Sequence, residues 1–162
     1  MALIPDILDS YRAPRAVLRR RLTGADEVHA LVTLILGCLM VWVAHWPVAA
    51  RDAHLDPSIP LGGRLTGAGV AWMFIAPVLL YALAALGHVI ARAFGGQGSF
   101  FSARLALFWA LLASAPLLLL NGLVSGFIGA GTGATIVGLI ALLGFLRIYL
   151  MGLIEAEAKP HE

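Results

Sequence analysis

Charge is scarce in this sequence, and lysine and cysteine are scarcer still. Charged residues fill 12% of the 162 positions, against about 25% in an ordinary soluble domain. With so little charge, the 60% hydrophobic content and mean hydropathy of +0.92 cannot be hidden by polar surface. A water-soluble fold would have to expose apolar patches that soluble monomers rarely show. The composition therefore predicts an integral membrane protein. The single cysteine, Cys38, excludes an internal disulfide, and its place in an apolar run says little about redox compartment. Lysine occurs once against ten arginines, a bias that points to GC-rich bacterial codons.

Carboxylates are missing where they would matter most. No Asp or Glu falls inside any predicted span, so an internal ion pair within the bilayer is not available. A proton pathway usually shows Asp, Glu or His at several depths, and that pattern is absent. His45 and His88 lie near opposite ends of their spans, which makes a shared metal or a relay between them geometrically poor. Each reads as an interfacial histidine bonded to backbone or water.

What the chain does have is long apolar runs. A bilayer core of about 30 Å needs about 20 helical residues, because in lipid each backbone N–H and C=O must be bonded within its own segment. Four stretches qualify: 28–48, 69–91, 103–122 and about 133–154. The last could instead start near Ser125 and end near Leu146, leaving RIYLMGLIEAEA at the interface. The first run is longer than a signal-peptide core and is read as a retained helix. The expected fold is an all-α bundle of four transmembrane helices, with a basic segment at 1–27, a membrane domain at 28–154 and a short tail at 155–162. Pro77 and Pro116 should kink spans two and three.

Basic residues set the orientation. Arg12, Arg15, Arg19, Arg20 and Arg21 precede the first span, Arg92 and Arg104 flank the second loop, and Arg147 and Lys159 come late. Only Arg51 and Arg64 fall in the other loops. Both termini are therefore expected to be cytoplasmic. Trp42, Trp46 and Trp72 then fall at the outer ends of spans one and two, where an aromatic belt belongs.

The glycine-rich stretch RAFGGQGSFFSAR, residues 92–104, raises the question of a phosphate cradle. A P-loop needs Lys and Ser or Thr after its last glycine, and a dinucleotide fingerprint needs a preceding strand. Neither is present here. The residues fit a tight hairpin instead. Gly95 can take the left-handed conformation that ends a helix, with Gly96 beside it, and Gln97-Gly98 reverses the chain. Ser99 or Ser102 can cap the next helix. Phe100 and Phe101 are expected to sink into the headgroup boundary, with Arg92 and Arg104 facing anionic lipid.

GHVIARAFGGQGSFFSARLALFWALLASAP resembles the bacterial branch of the Yip1 family of small membrane proteins: a helix ending near His88, a GG-x-GS-aromatic hairpin, then a helix with a proline about two-thirds along, here Pro116. The terminal GFLRIYLMGLIEAEA and the RAPRAVLRRRL ahead of span one also fit. Eukaryotic relatives sit in Golgi and ER membranes, are linked to Rab GTPases and vesicle traffic, and typically have five spans behind a long polar N-terminal region. This chain has four spans and a short arginine-rich start. For the bacterial branch the resemblance implies a membrane location, most naturally the bacterial inner membrane with Golgi or ER as runner-up. It implies no established biochemical activity and no catalytic residues.

Other candidates read as follows. Ser125, Gly129 and Gly133, with Ala134 and Gly138, recur at four-residue spacing and predict a smooth helix-packing stripe. It would serve packing within the bundle, a membrane-protein partner or a homo-oligomer. Arg147 is either a snorkelling or interfacial charge or one held by a carbonyl or carboxylate partner, such as Asn121. Asp52, His54 and Asp56 alternate, so an extended loop would gather them as for a divalent ion, although any solvated loop carries such residues. The arginines of 15–21 spread around a helix, and attraction to anionic lipid explains them without nucleic acid. The expected function is a non-enzymatic multi-pass membrane protein without cofactor or metal, acting through contacts with other membrane proteins. The alternative is a small transporter or channel subunit that uses the glycine-rich fourth span.

Overall fold

A computed structural model of the chain describes residues 3–158. Every regular element among them is helical. In chain order these are α1 (Leu3–Ser10), α2 (Pro14–Leu22), α3 (Glu27–Ala44), α4 (Trp46–Leu55), α5 (Leu61–Val70), a π turn (Ala71–Ile75), α6 (Ala76–Ala93), α7 (Phe100–Ala113), α8 (Ala115–Phe127) and α9 (Thr132–Ala156).

Three rods are long and apolar enough to cross a membrane: Glu27–Leu55, Leu61–Ala93 and Thr132–Ala156. The pair α7–α8, bent by 42° at Ser114, makes a fourth if taken as one span. The two prolines act differently. Pro116 lacks the N–H that would bond Leu112, and the chain bends there, with the Ser114 hydroxyl donating to the Ala110 carbonyl at 2.7 Å. Pro77 follows the π turn, and that rod carries on unbroken to Ala93.

The helices run past the spans expected at their outer ends. The segment expected as the loop 49–68 is helical up to Leu55 and again from Leu61, which leaves only 56–60 between the rods. This corrects the extended reading of Asp52, His54 and Asp56. On a helix Asp52 and His54 diverge by about 200°, and no group that could hold a metal ion occurs among the described residues. Trp42 meets Trp46 edge-on at 5.2 Å and donates to the Leu65 carbonyl, while Trp72 lies beside His45. The tryptophans thus share one level.

The core is organised around α7. It is buried along most of its length, from Ser102 to Ala113, with α3, α6 and α9 packed around it. On α3 the buried positions Ala30, Leu34, Gly37, Val41 and Ala44 keep helical spacing, while Leu31, Val32 and Ile35 point outward. α9 repeats the pattern: Ala141, Ile148 and Gly152 face in, whereas Leu139, Leu143, Leu146 and Leu150 face out. Each of these helices buries one stripe and leaves rows of large apolar side chains exposed. An exterior of this kind is compatible with a membrane protein, in which the outer face need not be polar.

Residues 3–22 are not a free basic arm. α1 and α2 form a helical hairpin held against α7 and α9. Val17 and Leu18 are buried in the core, the Trp109 indole donates to Ser10 Oγ at 3.0 Å, and the Tyr11 hydroxyl donates to the Ala113 carbonyl at 2.8 Å.

Candidate functional site

Three segments distant in sequence meet at one end of the bundle: the glycine hairpin between α6 and α7, the C-terminal end of α9 and the arginine face of α2. The hairpin is built by local rules. The N–H of Gly96 returns to the Ala91 carbonyl at 2.9 Å, and Gly95 sits at φ +92°, as a glycine-terminated helix requires. Ser99 is the N-cap of α7. The Ser102 N–H donates to Ser99 Oγ and the Ser99 N–H donates to Ser102 Oγ, a reciprocal box in which serine replaces the usual Glu or Gln.

Tertiary structure then uses this hairpin to finish α9. A helix leaves its last carbonyls without partners. Here Ser102 Oγ donates to the Ala156 carbonyl at 3.0 Å and the Gln97 N–H donates to the Glu157 carbonyl at 2.9 Å. The Glu157 carboxylate completes the joint, accepting from the Gly98 N–H at 3.0 Å and lying 2.6 Å from Nδ1 of His88. His88 is 2% exposed and its ring lies tilted against that of Phe100, 4.3 Å between centroids. Glycine is required at position 98, because a Cβ there would overlap the Ala156 carbonyl.

Several expectations change here. The segment 155–162, expected to be a tail, begins as the last turn of α9 and then docks through Glu157. Lys159 lies outside the described residues. His88 pairs with a buried carboxylate, that of Glu157, whereas His45 bonds the Val41 carbonyl. Phe100 stays half exposed, but Phe101 packs against the core. Arg104 pairs at the surface with Glu27 at 2.6 Å. The hairpin is largely spent on the chain's own C-terminal end. What remains open is a cleft of about 650 Å³ between Arg19, Thr23, Gln97, Ser99 and Ala158.

The α2 arginines divide by face. Arg20 and Arg21 pair with Asp6, and Arg20 also reaches Asp9. Arg21 lies over the Trp109 ring at 3.9 Å, a cation–π contact. Arg15 and Arg19 both bond Glu155, at 3.0 and 2.6 Å. Nearby, Asp26 caps α3: the His29 N–H donates to it at 2.8 Å and holds its carboxyl below the usual range.

The small-residue stripe is not a stripe. Helix stops at Phe127 and resumes at Thr132, with Gly129 at φ +95° between them. Ser125 therefore belongs to α8, Gly129 to the turn beside Arg51, and Gly133, Ala134 and Gly138 to the first turns of α9. A Cβ on Gly133 would meet nothing within 4 Å, and one on Gly138 would meet Asn121. The close approach falls one helix earlier. A Cβ on Gly122 would overlap the Ala44 carbonyl, and one on Gly126 would overlap Pro47. These two glycines, four apart on α8, carry the packing that the later spacing suggested. Arg147 bonds the Tyr11 carbonyl at 2.7 Å, a partner from the α1–α2 turn and not Asn121.

Comparison with protein-family models, with characterised proteins and with solved structures finds no match.

Proposed function

We propose that this chain is a non-enzymatic multi-pass membrane protein of the Yip1 type. It crosses a bacterial inner membrane four times, with both termini cytoplasmic, and acts by presenting its cytoplasmic end to another membrane protein. The observation that carries this reading is the docked hairpin. A loop fixed by both a capping box and the end of another span is a preorganised surface, and preorganised surfaces bind at lower entropic cost. Phe94, 89% exposed, and the half-exposed Phe100 stand at the two ends of the hairpin, whose Gln97, Ser99 and Phe101 line the open cleft. The polar residues at this end and the tryptophan level at the other support the proposed orientation.

The test is photo-crosslinking in native membranes from Phe94 and Phe100, with Val70 as a control on the opposite half of the second rod. One membrane protein captured from the two phenylalanine positions, not from Val70, and lost with Gly98→Val is the expected result. Self-adducts alone would replace the partner with a second copy. Adducts equally frequent from Val70 would remove the platform.

A transporter or channel is the second reading, favoured by one observation. Asn121 Oδ1 is buried without a hydrogen-bond partner among the described residues, and Asn121 lines a cleft of about 600 Å³ with Arg51, Gly131 and Thr135. Solute flux in proteoliposomes, abolished by Asn121→Leu, would establish it.

A further inference from the structure

We infer that Arg12, Arg15, Arg19 and Arg147 form a binding site for the phosphate of an anionic phospholipid. The inference rests on the membrane reading above but not on the proposed partner. All four line one cleft of about 530 Å³, with Met151 on its apolar wall. Arg15 and Arg19, four apart on α2, share the side turned toward α9, and Arg12 joins them from the α1–α2 turn just ahead of that helix. Arg147 comes from α9 itself and reaches the cleft because α2 lies alongside that helix.

The charge balance calls for an anion. Four guanidinium groups face a single carboxylate, Glu155, which leaves three positive charges uncompensated by the described residues. Glu155 is 4% exposed and both its oxygens are taken, one by each Nε of Arg15 and Arg19. Those two arginines remain 51% and 58% exposed, so their terminal amino groups are still available. Asp6 and Asp9 already serve Arg20 and Arg21. Arg147 has only the neutral Tyr11 carbonyl, and Arg12 has no side-chain partner among the described residues. Guanidinium forks match phosphate oxygens in shape and charge.

The surroundings select a lipid over free phosphate. Arg147 lies nine residues before the end of α9, about 13 Å along the helix axis. Exposed Leu143, Leu139, Ile140 and Ile136 continue from it toward the far end. A phosphate bound to the arginines would lay its acyl chains along that apolar surface, whereas inorganic phosphate would leave it uncovered.

The experiment uses the full chain purified in a non-ionic detergent. Thermal unfolding is followed against added phosphatidylglycerol, phosphatidylcholine and inorganic phosphate, and bound lipid is counted by native mass spectrometry. Alkaline extraction of membranes, done separately, tests membrane integration itself. Phosphatidylglycerol should bind saturably and stabilise the protein, phosphatidylcholine much less. Arg12→Gln and Arg147→Gln should each weaken phosphatidylglycerol binding about 5-fold, from about 1 kcal/mol per arginine near an anionic surface. Arg92→Gln, outside the cleft, should leave it unchanged. Arg12→Gln removes no internal bond among the described residues, so a folding defect cannot mask its result. Equal loss in Arg92→Gln, or equal binding of the two lipids, would overturn the site. Saturable inorganic phosphate binding without gain from the acyl chains would overturn its assignment to lipid.

Discussion

The two ends of this bundle are closed in opposite ways. At the end that gathers the glycine hairpin, three segments distant in sequence are tied by directed bonds: hairpin to α9 through Gln97, Gly98, Ser102 and Glu157, α2 to α9 through Glu155, and α3 to α7 through Glu27 and Arg104. At the far end the directed ties are fewer, the firmest being Trp42 to the Leu65 carbonyl at 3.0 Å. Asp56 and Arg64 close their own turn, and Arg51 reaches the Gly126 carbonyl only at 3.4 Å. On the proposed membrane reading, burying one apolar face against another gains little, because the lipid is equally apolar. Polar joints then decide which parts are fixed. One end is clamped, and the other is held mainly by packing.

The largest expected effect comes from attacking the clamp where it has no room. Gly98→Val should lower stability by about 3 kcal/mol, since the new side chain overlaps the Ala156 carbonyl and the hairpin must lift. Gly133→Leu, at the open position on α9, should stay within about 0.5 kcal/mol. Thermal unfolding of both variants in the same micelle checks the contrast, and similar losses would erase it. Next in size, Glu157→Ala should lose about 2 kcal/mol by leaving His88 buried without its partner. The double variant with His88→Ala should lose less than the sum of the singles, and additivity would mean that the pair does not act as a unit.

Smaller still, Gly129→Ala should cost about 1 kcal/mol through its left-handed backbone. It should also raise hydrogen exchange in 127–132 while leaving 95–99 protected; spread to the hairpin would join the two ends into one cooperative block. The smallest effect is a pH dependence at Asp26. Its carboxyl is held below the usual value by the His29 N–H, so the stability it lends is fully present above its unfolded pKa, about 4. That contribution fades as pH falls through the lowered native value. Asp26→Asn should flatten the acid limb of the stability curve, and an unchanged limb would assign it to other carboxylates.

The hairpin was legible before any coordinates because its instructions are local. Gly95 ends a helix by a conformation that other residues rarely adopt, and Ser99 begins one by answering an N–H three positions away. Arg147 could be flagged as a charge inside an apolar run, yet its partner could not be named. The Tyr11 carbonyl is 136 residues away and is a backbone group, which leaves no mark in composition. The four-residue spacing from Ser125 to Gly138 misled for a physical reason. Spacing predicts a shared face only within one continuous helix, and Gly129 breaks that helix. Gly122 and Gly126 carried the same signal on the helix before.

By itself, then, the sequence determined the helical class, the presence of several long apolar rods, the breaks at Pro116 and Gly95, and the bias of positive charge toward one end. All of these follow from backbone hydrogen bonding and residue chemistry over a few turns. Only the tertiary structure decided that 155–158 docks as a clamp, that α1–α2 folds against the bundle, and that arginines from α2 and α9 share one cleft. Those outcomes depend on which carbonyls and carboxylates are brought within 3 Å of one another, and this is set by how the rods pack, not by any stretch of the chain alone.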